Sequence, residues 1–134
     1  MGQTKFKGAV IKKLLAAQST AITVTGTAVD CSALKGTVAV ILNSGTASAG
    51  DTFDVTLECS SEISGSFHAV KDFNGDAIAF TQITDAAAAH QIKYFSMAQR
   101  DGHPWIRAVA TMATNGGTVA CALSVSLIGF PQYV

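Results

Sequence analysis

Asp72-Phe73-Asn74-Gly75-Asp76 sets oxygen-bearing side chains at alternate positions, the way a calcium-binding loop begins. The loop does not continue. Its sixth position, which needs glycine, is Ala77, and its twelfth, which needs a bidentate glutamate, is Ile83. A hairpin tip centred on Asn74-Gly75 accounts for the same residues without a metal. His68, His90 and His103 are of the type that titrates near neutral pH and could serve as bases. None has a recognisable partner: Asp72 follows His68 by four residues, but across a strand-to-turn junction that spacing joins two side chains only by chance. The chain has no Gly-x-Ser-x-Gly elbow, no His-Glu-x-x-His, no phosphate-cradling glycine loop opening a helix, and no close pair of acids on one strand face. Cys31, Cys59 and Cys121 are odd in number and far apart, with no Cys-x-x-Cys and no zinc-like Cys/His spacing. They are expected to be reduced packing residues, which fits a reducing compartment. The expectation is a protein that is not an enzyme and uses neither cofactor nor metal.

Recognition, rather than catalysis, is what the remaining polar residues suggest. In Arg100-Asp101-Gly102-His103-Pro104-Trp105-Ile106-Arg107 the glycine and proline fix a turn, and Pro104 stands where a strand can start without losing a ladder donor. Trp105, the only tryptophan, is a core plug or an interface anchor, with the core the commoner fate. Two residues on, Arg107 shares its face, so the guanidinium can stack on an aromatic ring and keep donors for a carboxylate. No acid precedes Asp30, whereas Lys5, Lys7, Lys12 and Lys13 give the first thirteen residues a local charge of about +4. That is enough to steer docking onto an acidic surface at moderate salt; a solvated tail is the alternative. The candidate interface residues are therefore Lys5, Phe6, Lys7, Lys12, Lys13, Trp105 and Arg107, joined near the end of the chain by Phe130 and Tyr133.

These residues must be positioned by strands. From Ile22 onward the dominant period is two. Phe53, Val55, Leu57 and Cys59 alternate with Asp54, Thr56 and Glu58, and Val119 to Leu127 alternates with a small-residue outer face of Ala120, Ala122, Ser124 and Ser126 that could pack closely on a neighbour. Thr37 to Asn43 is apolar on both faces and is expected as a central strand. Ala21 to Val29, weakened or kinked by Gly26, Phe67 to Val70, Ile78 to Ile83 and Trp105 to Met112 complete the set. Asp85 to His90 is expected as a loop or single turn leading into a further strand. Turn signals such as Asn43-Ser44-Gly45, Ala49-Gly50-Asp51, Ser64-Gly65-Ser66 and Asn115-Gly116-Gly117 separate the runs. Together they predict an all-β fold, an antiparallel β-sandwich with a jelly-roll-like topology as one option. Lys7 to Gln18, with Val10, Ile11, Leu14 and Leu15 opposite its lysines, is expected as a short helix or an extended arm. The expected division is thus residues 1–20 as a basic arm and residues 21–134 as the sandwich.

Composition bounds what such a domain can do. The 134 residues are 49% hydrophobic and only 13% charged, with nine basic against nine acidic side chains. One domain burying about two-thirds of its unfolded surface is expected, and disorder is excluded. Zero net charge removes the basic field that nonspecific nucleic-acid binding needs, so no direct nucleic-acid contact is expected. No run of about 18 apolar residues is present for a membrane span, and the start lacks an apolar stretch of secretory length. Sparse charge at zero net charge favours association, so a homo-oligomer is expected.

The order of these features resembles the small decoration, cement or head-stabilising proteins of tailed-phage heads. The resemblance runs through a basic start, Ala28-Val29-Asp30-Cys31, Thr37-Val38-Ala39-Val40-Ile41-Leu42-Asn43-Ser44-Gly45-Thr46 and Phe53-Asp54-Val55-Thr56-Leu57-Glu58-Cys59-Ser60. It continues through Phe67-His68-Ala69-Val70, Phe80-Thr81-Gln82-Ile83-Thr84, Trp105-Ile106-Arg107-Ala108-Val109-Ala110-Thr111 and the strand ending Leu127-Ile128-Gly129. Where such proteins continue into Asp- and Gly-rich residues after the segment like Leu57 to Ser60, this chain has Ser61-Glu62-Ile63-Ser64. The resemblance implies a non-enzymatic virion component, assembled in the host cytoplasm, that binds the major capsid protein on the outside of the shell. Two other roles compete with it: a receptor- or glycan-binding sandwich using Trp105, Tyr94 or Tyr133 as a stacking platform, and a tail or neck subunit.

Overall fold

Nine strands account for the regular structure of the computed structural model, which describes residues 8–20, 22–97, 103–113 and 121–131. They are β1 (Val10–Thr20), β2 (Val24–Thr25), β3 (Val29–Asp30), β4 (Leu34–Ser44), β5 (Thr52–Ser60), β6 (His68–Ala69), β7 (His90–Ser96), β8 (Trp105–Ala113) and β9 (Cys121–Pro131). One sheet has the order β1-β9-β4-β7, the other β2-β8-β5-β6 with β3 also on β8, and every ladder is antiparallel. If β2 and β3 are counted as halves of one strand, the chain changes sheet at every connection except β5 to β6, which is the jelly-roll arrangement.

Alternation builds the core. Val38, Val40 and Leu42 of β4 and Leu123, Val125 and Leu127 of β9 face Phe53, Val55 and Leu57 of β5 and Ile106, Ala108 and Ala110 of β8, all buried. The two largest sealed side chains, Phe53 and Phe95, come one from each sheet; each contributes about 2 to 3 kcal/mol by leaving water. The expected inner faces of Phe53 to Cys59 and Cys121 to Leu127 are the observed ones, and β4 is central, between β9 and β7. His90 to Ser96 is a strand after a loop, as expected. That loop is tied down by Thr84, whose hydroxyl accepts from the backbone N–H groups of Ala86 and Ala87. Ser44 then locks the entry to β7, its hydroxyl accepting from Ala89 N–H at 2.8 Å.

Three expectations need correction. Val10–Thr20 is neither a helix nor an arm: it is a strand paired with β9 over most of its length, so the sandwich takes in part of the segment assigned to residues 1–20. Burial explains the misleading pattern. A register shift between Lys13 and Leu15 puts Leu14 and Leu15 both in the core, which mimics a helical pair. Ile78 to Ile83 is not a regular strand; its backbone pairs with β5 at the isolated bridges Thr56–Ala79 and Phe53–Ile83. Its buried residues, Ile78, Phe80 and Ile83, break the two-residue period between Phe80 and Ile83, so the ladder cannot run on. In place of the single strand expected over Ala21 to Val29, the described residues form two short ones, β2 and β3, with Gly26 between them.

The backbone of Gly26 closely approaches β1 of the opposite sheet. Its N–H donates to Ala108 O at 2.8 Å, and a Cβ placed there would stand 1.8 Å from the carbonyl oxygen of Leu14. No side chain fits without moving β1 or β8. Gly26→Ala is therefore expected to cost about 2 to 3 kcal/mol, read as a lower urea midpoint with an unchanged slope; an unchanged midpoint would show that the close approach does not exist.

Candidate functional site

Because the inner faces are spent on the core, function must be sought on the outer ones. On the β1-β9-β4-β7 sheet, cross-strand register lines up Ile11, Ile128, Ala39 and Tyr94 in one row and Lys13, Ser126, Ile41 and Ile92 in the next. Ile11 is 64% exposed, Ile92 52%, Tyr94 52% and Phe130 36%. Scattered apolar residues on a surface need no explanation, but these share one sheet face, which makes it the candidate interaction surface. At one end of the face lies a shallow groove of about 380 Å³, bordered by Gln18, Ser19, Asn43, His90 and Ser124. There Asn43 Oδ1 sits 3.1 Å from His90 Nδ1.

Charge is divided between the layers. Strands β1, β4, β7 and β9 carry Lys12, Lys13, Lys35 and Lys93 and not one acidic residue. The described acids all lie in the other sheet (Asp30, Asp54, Glu58) or in connections (Asp51, Glu62, Asp72, Asp76, Asp85). The zero net charge thus conceals a polarised molecule. Lys13 and Lys35 pair with Ser126 and Phe130 and are exposed on the outer face. Lys12 and Lys93 sit opposite the buried Leu127 and Val40, half-buried on the inner side of the two edge strands. Inward-pointing lysines at an edge oppose strand addition by another chain, because a paired edge would bury the charge.

The candidate interface residues accordingly do not form one site. Lys12, Lys13 and Phe130 belong to the sheet just described, while Trp105 and Arg107 lie on β8 in the other. Lys5, Phe6, Lys7 and Tyr133 lie outside the described residues. Arg107 has the structural role its position suggested: Nη2 and Nε meet Glu58 Oε1 at 2.8 and 2.9 Å, and the guanidinium stands 3.6 Å from the centre of the Phe67 ring. Trp105 is half-buried, opposite Ser60. Tyr94 and Trp105, on different sheets, share no stacking platform. His68 and His103 meet edge to face, with ring centres 5.9 Å apart.

The Asp72 to Asp76 segment is a hairpin tip. Asp72 Oδ1 accepts from the N–H groups of Asn74 and Asp76 at 2.8 and 3.0 Å, and Gly75 has φ of 88°. Among the described residues no three His, Cys, Asp or Glu side chains are grouped to hold a metal ion. All three cysteines are buried, and burial pushes the Cys31 thiol up to about 11 and raises that of Cys121. Asp30, by contrast, is held below the usual carboxylate value by the N–H of Ser32, 2.9 Å from Oδ1.

Sequence reasoning missed Ile11, Ile41, Ile92 and Ile128 as surface residues. The signal was present: an apolar outer face on Thr37 to Asn43 means a covered sheet, and here no second layer of the described chain covers it.

No protein-family model matches the chain. None of the curated proteins is significantly similar to it. Among solved structures, it is similar to the VP2 subviral particle of infectious bursal disease virus, with 15% identity and a TM-score of 0.45 over 92% of this chain and 32% of the VP2 chain. The chain thus spans about a third of the length of that protein.

Two measurements check these surfaces. A thiol whose pKa is near 11 leaves about one molecule in a thousand ionised at pH 8. Cys31 is therefore expected to react with a thiol reagent at least about a hundredfold faster in denaturant than in the folded protein; equal rates would show that it is not buried. A double-mutant cycle of Arg107→Ala with Glu58→Gln should give a coupling of about 1 kcal/mol that shrinks with added salt. Zero coupling at low salt would reduce this pair to two independent surface charges.

Proposed function

We propose that this chain is a structural component of a virion, one that binds the outside of a tailed-phage capsid and stabilises the shell by bridging neighbouring subunits of the major capsid protein. The observation that carries this reading is the broad, acid-free, apolar outer face on the β1-β9-β4-β7 sheet, presented by a framework whose core is sealed on the other side. A jelly roll by itself does not choose among functions, since shells and lectins both use it. The face supports the capsid reading: its exposed apolar residues are spread across neighbouring strands rather than gathered in an enclosed cavity, which suits another protein surface better than a small molecule. The order of sequence features, with its likeness to head-stabilising proteins, supports the same reading.

A protein of this kind needs no reactive group. It works by binding the closed shell better than an opened one, and that difference in affinity adds to shell stability through linkage. Many modest contacts per particle suffice, because a copy held at one point meets its second point at high effective concentration. The cluster of lysines from Lys5 to Lys13 supplies attraction toward an acidic capsid surface at the encounter stage. In this reading the protein belongs on the capsid surface, loaded in the host cytoplasm.

Particles lacking this protein are expected to release their genome at a lower temperature than complete ones, and adding the purified chain back should restore the difference while it co-sediments in hundreds of copies on the order expected for a regular lattice. Unaltered heat release combined with binding on a glycan array would replace the reading with a receptor-binding one.

A further inference from the structure

The outer sheet face and the guarded edges of the β1-β9-β4-β7 sheet limit how another copy could meet it. Lys12 and Lys93 stand on the inner side of the β1 and β7 edges, so strand addition to this sheet is disfavoured and its open face is left. That face carries Ile11, Ile92, Tyr94 and Phe130 as exposed apolar residues, with Lys13 and Lys35 and no acid. Two such faces laid against each other would oppose lysine to lysine. The chain holds the complement elsewhere. Beside β5 and β6, in the other sheet, the exposed Ile63 (54%) and Phe73 (56%) project from a turn and a hairpin that carry Glu62, Asp72 and Asp76 against a single lysine, Lys71.

We propose that copies of this chain associate head to tail, the Phe73 hairpin and Ile63 turn of one seated on the outer β1-β9-β4-β7 face of the next. The occupant is a second copy because both halves of the match, acidic with protruding apolar tips and basic with an apolar floor, stand on one chain whose net charge is zero, so no overall repulsion opposes the encounter. A contact between two different patches is heterologous. It leaves one free face and one free tip in a dimer, and it ends only when a ring closes. A face that holds a neighbour's hairpin does not offer the same area to a capsid, so this contact belongs to the free chain, and capsid binding would displace it.

The test uses the full chain alone. Analytical ultracentrifugation at about 0.1 mM in low salt, a concentration that saturates a contact with Kd near 1 µM, is expected to show oligomers that dissociate as salt is raised. Ile92→Glu on the face and Phe73→Lys at the tip, both at exposed positions and both checked for unchanged thermal midpoints, should each weaken association by about tenfold or more. Mixed together they should form a one-to-one dimer, since each keeps the half the other lacks. Should Ile92→Glu lower the midpoint, Tyr94→Ser probes the same face. A wild-type monomer at that concentration overturns the proposal. So does association untouched by Phe73→Lys, which would mean a face-to-face dimer, and so does a mixture that stays monomeric. None of these outcomes bears on heat release from particles, so this contact and capsid binding fail separately.

Discussion

The seam between β4 and β9 on one side and β5 and β8 on the other is the constraint from which the rest of the molecule follows. Each of these strands gives every second residue to it, and each gives several residues with essentially no exposure. A slip of one residue in any of the four would exchange its buried set for its outer set. That penalty is steep for β5, where Asp54 and Glu58 would enter the core, and mild for β4, whose alternate residues include Ala39 and Ile41. The pairing of β4 is therefore held by its neighbours on both sides, continuously from Thr37 to Asn43 against β7 and from Ala39 to Ser44 against β9.

Most of the fold was legible because period two is unambiguous when polar residues stand between the apolar ones. Phe53 to Cys59 and Cys121 to Leu127 could be assigned inner faces residue by residue, and the Asn74-Gly75 tip follows from turn chemistry alone. Where the period slipped, so did the reading. The shift at Leu14 and Leu15 looks helical in sequence because a bulge places consecutive residues on one side, which a helix also does. The segment from Ile78 to Ile83 has strand-like composition, yet its three-residue step from Phe80 to Ile83 leaves it tethered to β5 at isolated points, with Gln82 bonded to Asp54 at 3.1 Å.

The surface was less legible, for a physical reason. Sequence can say that a residue is apolar, but only the pairing register says which apolar residues of four different strands become neighbours. Ile11, Ile41, Ile92 and Ile128 are separated by up to 117 positions in the chain (128 − 11) and lie on adjacent strands of one sheet face. The candidate interface set drawn from local clustering mixed the two layers for the same reason, joining Lys13 to Arg107, although Arg107 is already occupied by Glu58 and Phe67.

Charge segregation is the feature that ties the outer face to the edges. An acid-free sheet could be a by-product of low charge content, but then its four lysines would fall anywhere. They fall two by two: one on the inner side of each edge strand, where it discourages pairing with a foreign strand, and two on the outer face, where they leave the apolar floor open. Blocking the edges has a consequence for the face. A β-sandwich exposing isoleucine and tyrosine with unprotected edges would be free to grow by uncontrolled strand addition. With both edges of this sheet guarded, its apolar surface is left to bind through its side chains, and the register that sets those side chains also sets the orientation of whatever lies on them.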